Sequence, residues 1–380
     1  MNRLKSLDVF RGIAIVMMVL VNNPGSWATI YWPLKHAQWH GLTPTDVVFP
    51  LFIFAMGASL ALSMGRQLGS ERTAIIAGIL RRSAILFACG MFLALFFYNP
   101  YSSDFNWFAD RFMNVRVMGV LQRLALVYLL TALLVLYVPA RQYIVWCFGL
   151  LLLYWAMMTF VPYRGNDGEV YQGLWQFGNS FAAWLDASVL GEHHVYYGDA
   201  TPFAFDPEGL LSTLPAVASC LFGVIGGNWL LNSQVNGTGR KSFWLPAVAT
   251  LVLGLVAVLW IPVNKALWSP TFVLITAGLS MLLLALLEVI LSRSGKQVWA
   301  KPFVVAGCNS LFFFMLSGIV ARLLFMIPVN GKPLKSYLFE QYFLSHFSPY
   351  NASLVFAIGF LFVMFIPTWW LYKKRWFIRV

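Results

Sequence analysis

Lys35-His36-Ala37-Gln38-Trp39-His40-Gly41-Leu42-Thr43-Pro44-Thr45-Asp46 gathers two imidazoles, a carboxylate and a lysine between two apolar runs, Ile13 to Val21 and Val47 to Leu62. Titratable groups at a membrane rim cost free energy unless they are paired, hydrated or useful. Histidine is the side chain best matched to proton transfer near neutral pH. His36, beside Trp39, could act as a general base or a nucleophile; it could equally be a structural histidine hydrogen-bonded in its loop. His40 could join it on zinc if the loop is helical, but no third ligand with convincing spacing follows, and the adjacent pair His193-His194 has no assignable geometry. No metal is expected. Asp46 stands just before the second run, where a carboxylate caps a helix and meets its dipole. That role is compatible with orienting an imidazole.

Other polar residues sit where apolar segments begin or end. Asp8 and Arg11 are three apart and can pair on a helix, and Asn22 lies three turns beyond Arg11 on much the same face. Arg116 and Arg123 are two turns apart, with Gln122 beside the second. Such a cationic face suits a phosphorylated or carboxylated ligand, or pairing between helices with Asp206 or Glu208. The acids of Asp206-Pro207-Glu208-Gly209 could bind an ammonium group. Asn264, Lys265 and Trp268 lie in one connection and could hold a sugar by hydrogen bonds and ring stacking, although a tryptophan there also fits an interfacial belt. Asn309 and Ser310 follow Gly307-Cys308, a small-residue stretch suited to close helix packing.

The elements that position these residues must be membrane helices. The chain has 380 residues, 60% of them hydrophobic and 11% charged, with a mean hydropathy of +0.73. Soluble chains carry about 25% charged residues. Ten segments are apolar over roughly the ~20 residues a spanning helix needs: 8–25, 47–64, 79–98, 117–138, 143–161, 210–231, 243–261, 271–291, 303–327 and 352–372. The first carries charge near its start, and the ninth is long enough to be tilted or broken. The fold class is all-α: a polytopic membrane protein of about ten helices, one transmembrane domain over 1–380. Most of the 26 lysines and arginines fall in one alternate set of connections, which predicts both termini in the cytoplasm and the His36 loop outside.

The net charge of +12 therefore reports topology, not nucleic acid. The longest outer connection, about 162–209, holds half of the chain's 14 acids, with aromatics that predict an ordered cap. Cys89, Cys147, Cys220 and Cys308 lie in apolar runs and read as small buried residues. The start, Met1-Asn2-Arg3-Leu4-Lys5, is expected to lead into an uncleaved signal anchor. No phosphate-binding G-x-x-x-x-G-K-[ST] loop, G-x-S-x-G elbow or metalloprotease signature occurs.

Several blocks carry a resemblance. They are Arg3 to Gly12, then Val21-Asn22, then Lys35-His36-Ala37-x-Trp39-x-Gly41-Leu42-Thr43-x-x-Asp46-x-Val48-Phe49-Pro50. Gly119-Val120-Leu121-Gln122-Arg123-Leu124, Asp206-Pro207-Glu208-Gly209, Pro262-Val263-Asn264-Lys265-x-Leu267-Trp268-Ser269 and Asn309-Ser310 follow in order. Together they resemble the heparan-α-glucosaminide N-acetyltransferase family. The resemblance implies a membrane enzyme that takes acetyl from acetyl-CoA on the cytosolic side and delivers it to a glucosamine amino group on the far side. It implies that His36, not His40, is the active-site histidine. His40 replaces an asparagine found in some members, which would alter substrate fit. The chain begins almost at the first block, so it is expected to be similar to short bacterial members of the inner membrane that lack the lysosomal enzyme's luminal region. A homodimer is also implied.

On that reading His36 deprotonates the amine or carries acetyl transiently, and Asp46 holds its tautomer. Asn22, Trp39, His40, Asp206, Glu208, Asn264, Lys265 and Trp268 meet the amino sugar. Arg116, Gln122, Arg123, Asn309 and Ser310 meet acetyl-CoA. The rival from composition alone is an amino-sugar or N-acetylglucosamine transporter, in which Arg123 and Arg322 would line a pathway. An acyltransferase with another donor or a lipid-linked acceptor is a third reading.

Overall fold

In hydrocarbon every backbone N–H and C=O must be satisfied within its own segment, so apolar runs of this length fold as helices. The computed structural model describes residues 4–66, 71–165, 168–236, 243–292 and 297–378. In chain order the helices are α1 (Lys5–Asn22), α2 (Val48–Arg66), α3 (Arg72–Leu95), α4 (Val120–Tyr137), α5 (Tyr143–Phe160), α6 (Phe181–Leu190), α7 (Thr213–Asn236), α8 (Trp244–Ala257), α9 (Pro270–Leu291), α10 (Ala300–Cys308), α11 (Ser310–Met326), α12 (Leu334–Leu338) and α13 (Pro349–Lys373).

Each of the ten apolar segments holds a helix, but not all of them span equally. Among the described residues seven helices are long and apolar enough to cross a membrane, and α10 with α11 makes an eighth if the bent pair is one span. That composition is an all-α, multi-pass membrane architecture. The ninth segment is broken: α10 and α11 meet at an angle of 82°, and Asn309 sits at the break with φ −127° and ψ 42°. The other two segments fall short. α1 has 18 residues and includes Lys5, Asp8 and Arg11. α8 has only 14 residues, about 21 Å of helix against a hydrocarbon layer of about 30 Å.

The core is α2 against α7, flanked by α1, α4, α5 and α9. Glycine makes the central contact close. A Cβ on Gly57 would stand 1.9 Å from the Cys220 carbonyl oxygen, and one on Gly223 would stand 2.1 Å from that of Phe54. α1 meets α10 in the same way through Gly12 and Gly307. Small residues let backbones touch where no water is expelled to drive association.

At one end of this bundle lie the described residues of the connections 23–47, 96–119, 161–165 with 168–212, 258–269 and 327–348. They build a second, smaller core from Tyr154, Tyr163, Phe181, Phe203, Phe205 and Leu267, among others. Two short antiparallel pairings, Tyr163–Arg164 with Val170–Tyr171 and Trp175–Gln176 with Asn179–Ser180, and helix α6 order the longest connection.

Candidate active site

The chain turns sharply after Thr43. Pro44–Val47 forms a single tight turn that leads directly into α2. Asp46 is its third residue, so its carboxylate points back to the start of the turn instead of forward to the α2 amides. Asp46 Oδ2 accepts the Thr43 amide at 3.0 Å and the Ala37 amide at 3.0 Å. The Thr43 hydroxyl lies within reach of both Asp46 Oδ2 (2.9 Å) and the Lys35 carbonyl (2.7 Å). These contacts fold 35–46 into a closed loop and leave Asp46 1% exposed.

The second carboxylate oxygen, Oδ1, is 2.7 Å from His36 Nδ1. A buried carboxylate accepts the ring N–H, which assigns the Nδ1–H tautomer and leaves Nε2 with its lone pair. The His36 side chain is 41% exposed, and Nε2 has no hydrogen-bond partner among the described residues. Lys265 arrives from the connection between α8 and α9. Its Nζ is 3.0 Å from His36 Nδ1 and 3.5 Å from Asp46 Oδ1. With Nδ1 already donating to Asp46, the ammonium's partner is the carboxylate. Burial lowers the Lys265 pKa, and the charges of Asp46 and Glu208 oppose that shift. A base oriented by a buried carboxylate through its other nitrogen is the arrangement that proton transfer or acyl transfer to imidazole requires.

Asn264 pins the Lys265 connection to the His36 loop. Its Nδ2 donates to the Trp39 carbonyl at 3.0 Å, its Oδ1 accepts the Leu267 amide at 2.8 Å, and Gly41 donates to the Val263 carbonyl at 2.8 Å. Asn264 is 0% exposed, so it acts as a strut. Trp39 donates its indole N–H to the Trp175 carbonyl and packs edge-on against Phe177 and Phe205. His40 is exposed beside the Trp39 ring, its pKa lowered by partial burial. Trp268 is buried, with its indole N–H on Ser219 Oγ at 3.0 Å and its ring under the Arg123 guanidinium. Its φ of +51° is unusual for a bulky residue and is held by those contacts.

A second polar cluster stands behind the first. Arg116 forks onto Asp206, Nε to Oδ2 at 2.7 Å and Nη2 to Oδ1 at 2.6 Å, and also donates to Glu208 Oε2. Burial lowers the Arg116 pKa, but the bonds and charges of the two acids outweigh it and hold the pKa above its ordinary value. Arg123 is 0% exposed. Its Nη2 donates to the Gly209 carbonyl at 3.1 Å and to Ser212, while Nε and Nη1 have no partner among the described residues. Below them Asp186, on α6, accepts the Asp206 amide at 3.2 Å and the Leu210 amide at 2.9 Å. Burial pushes the Asp186 pKa up to about 7.

The remaining candidates are dispersed. Asn22 is the exposed last residue of α1. Gln122 is buried against Gly90 and Gly119, its amide 3.5 Å from Met91 Sδ. Asn309 and Ser310 lie near the opposite end of the bundle. Asn309 holds the C-terminal segment, donating to the Trp376 carbonyl at 3.1 Å and accepting the Ile378 amide at 2.9 Å. Ser310 Oγ accepts Arg11 Nη2 at 3.2 Å. Ser310, Arg11, Ser59, Ser63 and Arg82 line a cavity of about 500 Å³. It runs between α1, α2, α3, α4 and α11, from Leu4, Leu62 and Ile378 to Met18, Phe52 and Val120. Phe52 is on the second turn of α2, six residues after Asp46 of the preceding tight turn, roughly 9–10 Å along the chain axis.

Thr43 and Asp186 were not singled out in the sequence. Thr43 had a signal, since Thr43-Pro44-Thr45-Asp46 has capping-box spacing. Asp186 had none, because only the fold brings it beneath Asp206. Among the described residues no group of three or more His, Cys, Asp or Glu is placed to hold a metal ion.

A buried carboxylate, an accessible imidazole and a lysine at one end of a helical membrane bundle define a candidate acyl- or proton-transfer centre. The family model described as "Heparan-alpha-glucosaminide N-acetyltransferase, catalytic" matches residues 3–254; the chain belongs to that family. It is 34% identical over 268 residues to the heparan-alpha-glucosaminide N-acetyltransferase of Homo sapiens. It is 32% identical over 276 residues to that of Mus musculus. Each alignment covers 60% of this chain and 39% of the relative, so the match spans about two fifths of the curated relatives' length. The family match contains His36, Asp46, Arg116, Arg123, Asp206 and Glu208 and ends before Asn264.

Proposed function

We propose that this protein is a membrane N-acetyltransferase that passes acetyl from acetyl-CoA, bound from the cytoplasmic face, to the amino group of glucosamine or a glucosamine-ended saccharide at the outer face of the bacterial inner membrane. The observation that carries this reading is the 2.7 Å His36–Asp46 contact beside Lys265, which leaves His36 Nε2 as an oriented base. The named activity of the relatives supports the same class.

The chemistry follows from which nitrogen is free. Amide formation requires the amine nitrogen to attack the thioester carbonyl, lose a proton and expel the thiol. His36 Nε2 takes that proton, and Asp46 stabilises the imidazolium through Nδ1–H. The imidazolium then protonates the departing thiolate. In the two-step variant His36 Nε2 attacks the carbonyl first and the thiolate leaves and takes up a proton; the amine then attacks the acetyl-imidazolium, the ring N–C bond breaks, and the amine releases a proton as the amide forms. Lys265 contributes positive charge where the carbonyl oxygen becomes an oxyanion.

The donor side fits the cavity. A long, thin acyl carrier with a charged head needs a polar mouth and an apolar bore, and Arg11, Ser59, Ser63 and Arg82 give way to Met18, Phe52 and Leu121 along it. Ser310 belongs to that mouth, with Asn309 fixing the adjacent backbone. On the acceptor side Trp39 and His40 belong to the His36 loop itself, and Asn22 stands exposed at the end of α1. The acidic outer connection attracts a protonated amino sugar, which gives up its ammonium proton to water before the free amine attacks, and the Glu208 side chain keeps 14% exposure. Gln122 and Arg123 stand on α4 beside Leu121 and Leu124 of that cavity, Arg116 is held by Asp206 and Glu208, and Asn264 and Trp268 position Lys265. A dimer is part of the proposal only through the family resemblance.

The test follows thiol release and acetylated sugar with purified protein, acetyl-CoA and glucosamine. No turnover with any amino sugar, together with uptake of labelled N-acetylglucosamine into proteoliposomes without acetyl-CoA, would overturn it in favour of a transporter.

A further inference from the structure

Away from the candidate active site, two arginines converge at the seam of α3 and α11. Arg111 lies in a wide turn, Trp107–Phe112, between α3 and α4. Its Nε donates to the Ala94 carbonyl at 2.6 Å, and its guanidinium lies 5.2 Å over the Phe97 ring. Phe97 stacks on Phe325 of α11 at 5.4 Å. One turn earlier on α11, Arg322 Nη1 donates to the Gly318 carbonyl at 2.9 Å. A Cβ on Gly318 would touch both Arg322 and Leu93 of α3, so Arg322 also faces α3. Arg111 thus packs on one ring of the Phe97–Phe325 stack and Arg322 stands one turn before the other, so both flank the same aromatic pair, and the charge of Arg111 bears on Arg322.

Both are half-buried, and neither forms an ion pair with an acid among the described residues. Two like charges drawn from water beside each other are costly unless an anion joins them. Each spends one N–H group on a backbone carbonyl, which leaves most of the guanidinium donors available for oxygens. The surface around them is apolar and aromatic: Trp107, Phe108 and Phe112 are 40%, 58% and 44% exposed. Such rings mark the level where lipid headgroups meet hydrocarbon. The ligand chemistry is thus an anionic phosphate head with an apolar body.

We infer that Arg111 and Arg322 form a site for the phosphate of an anionic phospholipid of the surrounding leaflet, whose acyl chains lie along the α3–α11 seam. Neither residue belongs to the acetyl-transfer machinery, so the site is independent of that reading.

Native mass spectrometry of protein purified in a neutral detergent tests it, with phosphatidylglycerol and phosphatidylcholine offered in equal amounts. The wild type should retain phosphatidylglycerol in preference by about tenfold or more, a difference of about 1.4 kcal/mol. Arg111→Gln with Arg322→Gln should abolish the preference, and each single variant should reduce it. If the double glutamine variant does not fold, Arg111→Lys with Arg322→Lys keeps both charges but loses the fork, and should weaken retention without ending it. Equal retention of the two lipids by the wild type, or unchanged retention in the variants, would overturn the site. Thermal stabilisation by inorganic phosphate equal to that by phosphatidylglycerol would overturn the lipid as its source.

Discussion

Two polar clusters stand side by side at one end of this bundle, and they use the same residue types to opposite ends. In the His36–Asp46–Lys265 cluster the acid is buried and saturated, while the second ring nitrogen of the 41% exposed imidazole has no hydrogen-bond partner among the described residues. In the Arg116–Asp206–Glu208 cluster the basic and acidic groups consume each other through a bidentate fork and a further bond. A network whose acids and base are spent mainly on each other is a brace. One that orients a single free lone pair is equipped for chemistry. Lys265 links the two, since it feels the charges of both Asp46 and Glu208.

That contrast is open to direct attack. The largest effect should come from His36→Ala, which removes the free nitrogen: turnover should fall by roughly 10²–10⁴-fold or more, with the melting temperature in detergent nearly unchanged. Arg116→Gln should do the reverse. It strands Asp206, whose side chain is 0% exposed, and should cost about 3 kcal/mol of stability. In a denaturant titration this loss should exceed that of His36→Ala. A folded Arg116→Gln protein as inactive as His36→Ala would erase the distinction between brace and centre.

Lys265→Met separates charge from packing. If the ammonium meets the developing oxyanion, maximal turnover should drop about 10–10²-fold while the glucosamine KM changes little. A change confined to KM would instead return Lys265 to sugar binding. The smallest effect concerns Asp186, whose pKa is about 7 in the folded protein against an ordinary 3.8. Between those values the folded state binds the extra proton, so stability contributed by Asp186 is full below about pH 4 and lost as pH rises through 7. Asp186→Asn should flatten that part of the melting-temperature profile, and an unaltered slope would show that Asp186 does not set it.

The sequence made part of this visible. Apolar length located all ten helical segments, because a helix in hydrocarbon needs little beyond it. It did not show that α8 stops at 14 residues or that the ninth segment bends by 82°, since hydropathy averages over a break at one asparagine. His36 and Asp46 stood out as titratable groups at an apolar boundary, ten positions apart on one loop. The arrival of Lys265 from 229 positions away and the burial of Trp268 under Arg123 are properties of packing. Pairing of Arg116 with Asp206 or Glu208 was one of two readings that spacing left open; the fold joins Arg116 to both. Asp186 carried no signal, because its partners are backbone amides, which every residue has.

The most direct test of the central claim is the paired assay of wild type and His36→Ala, purified in detergent and matched for folding, with acetyl-CoA and glucosamine and both products followed. The wild type should yield stoichiometric thiol and N-acetylated sugar, and the variant only background. Turnover that survives in a folded His36→Ala protein would contradict this reading, because the imidazole oriented by Asp46 would then be dispensable.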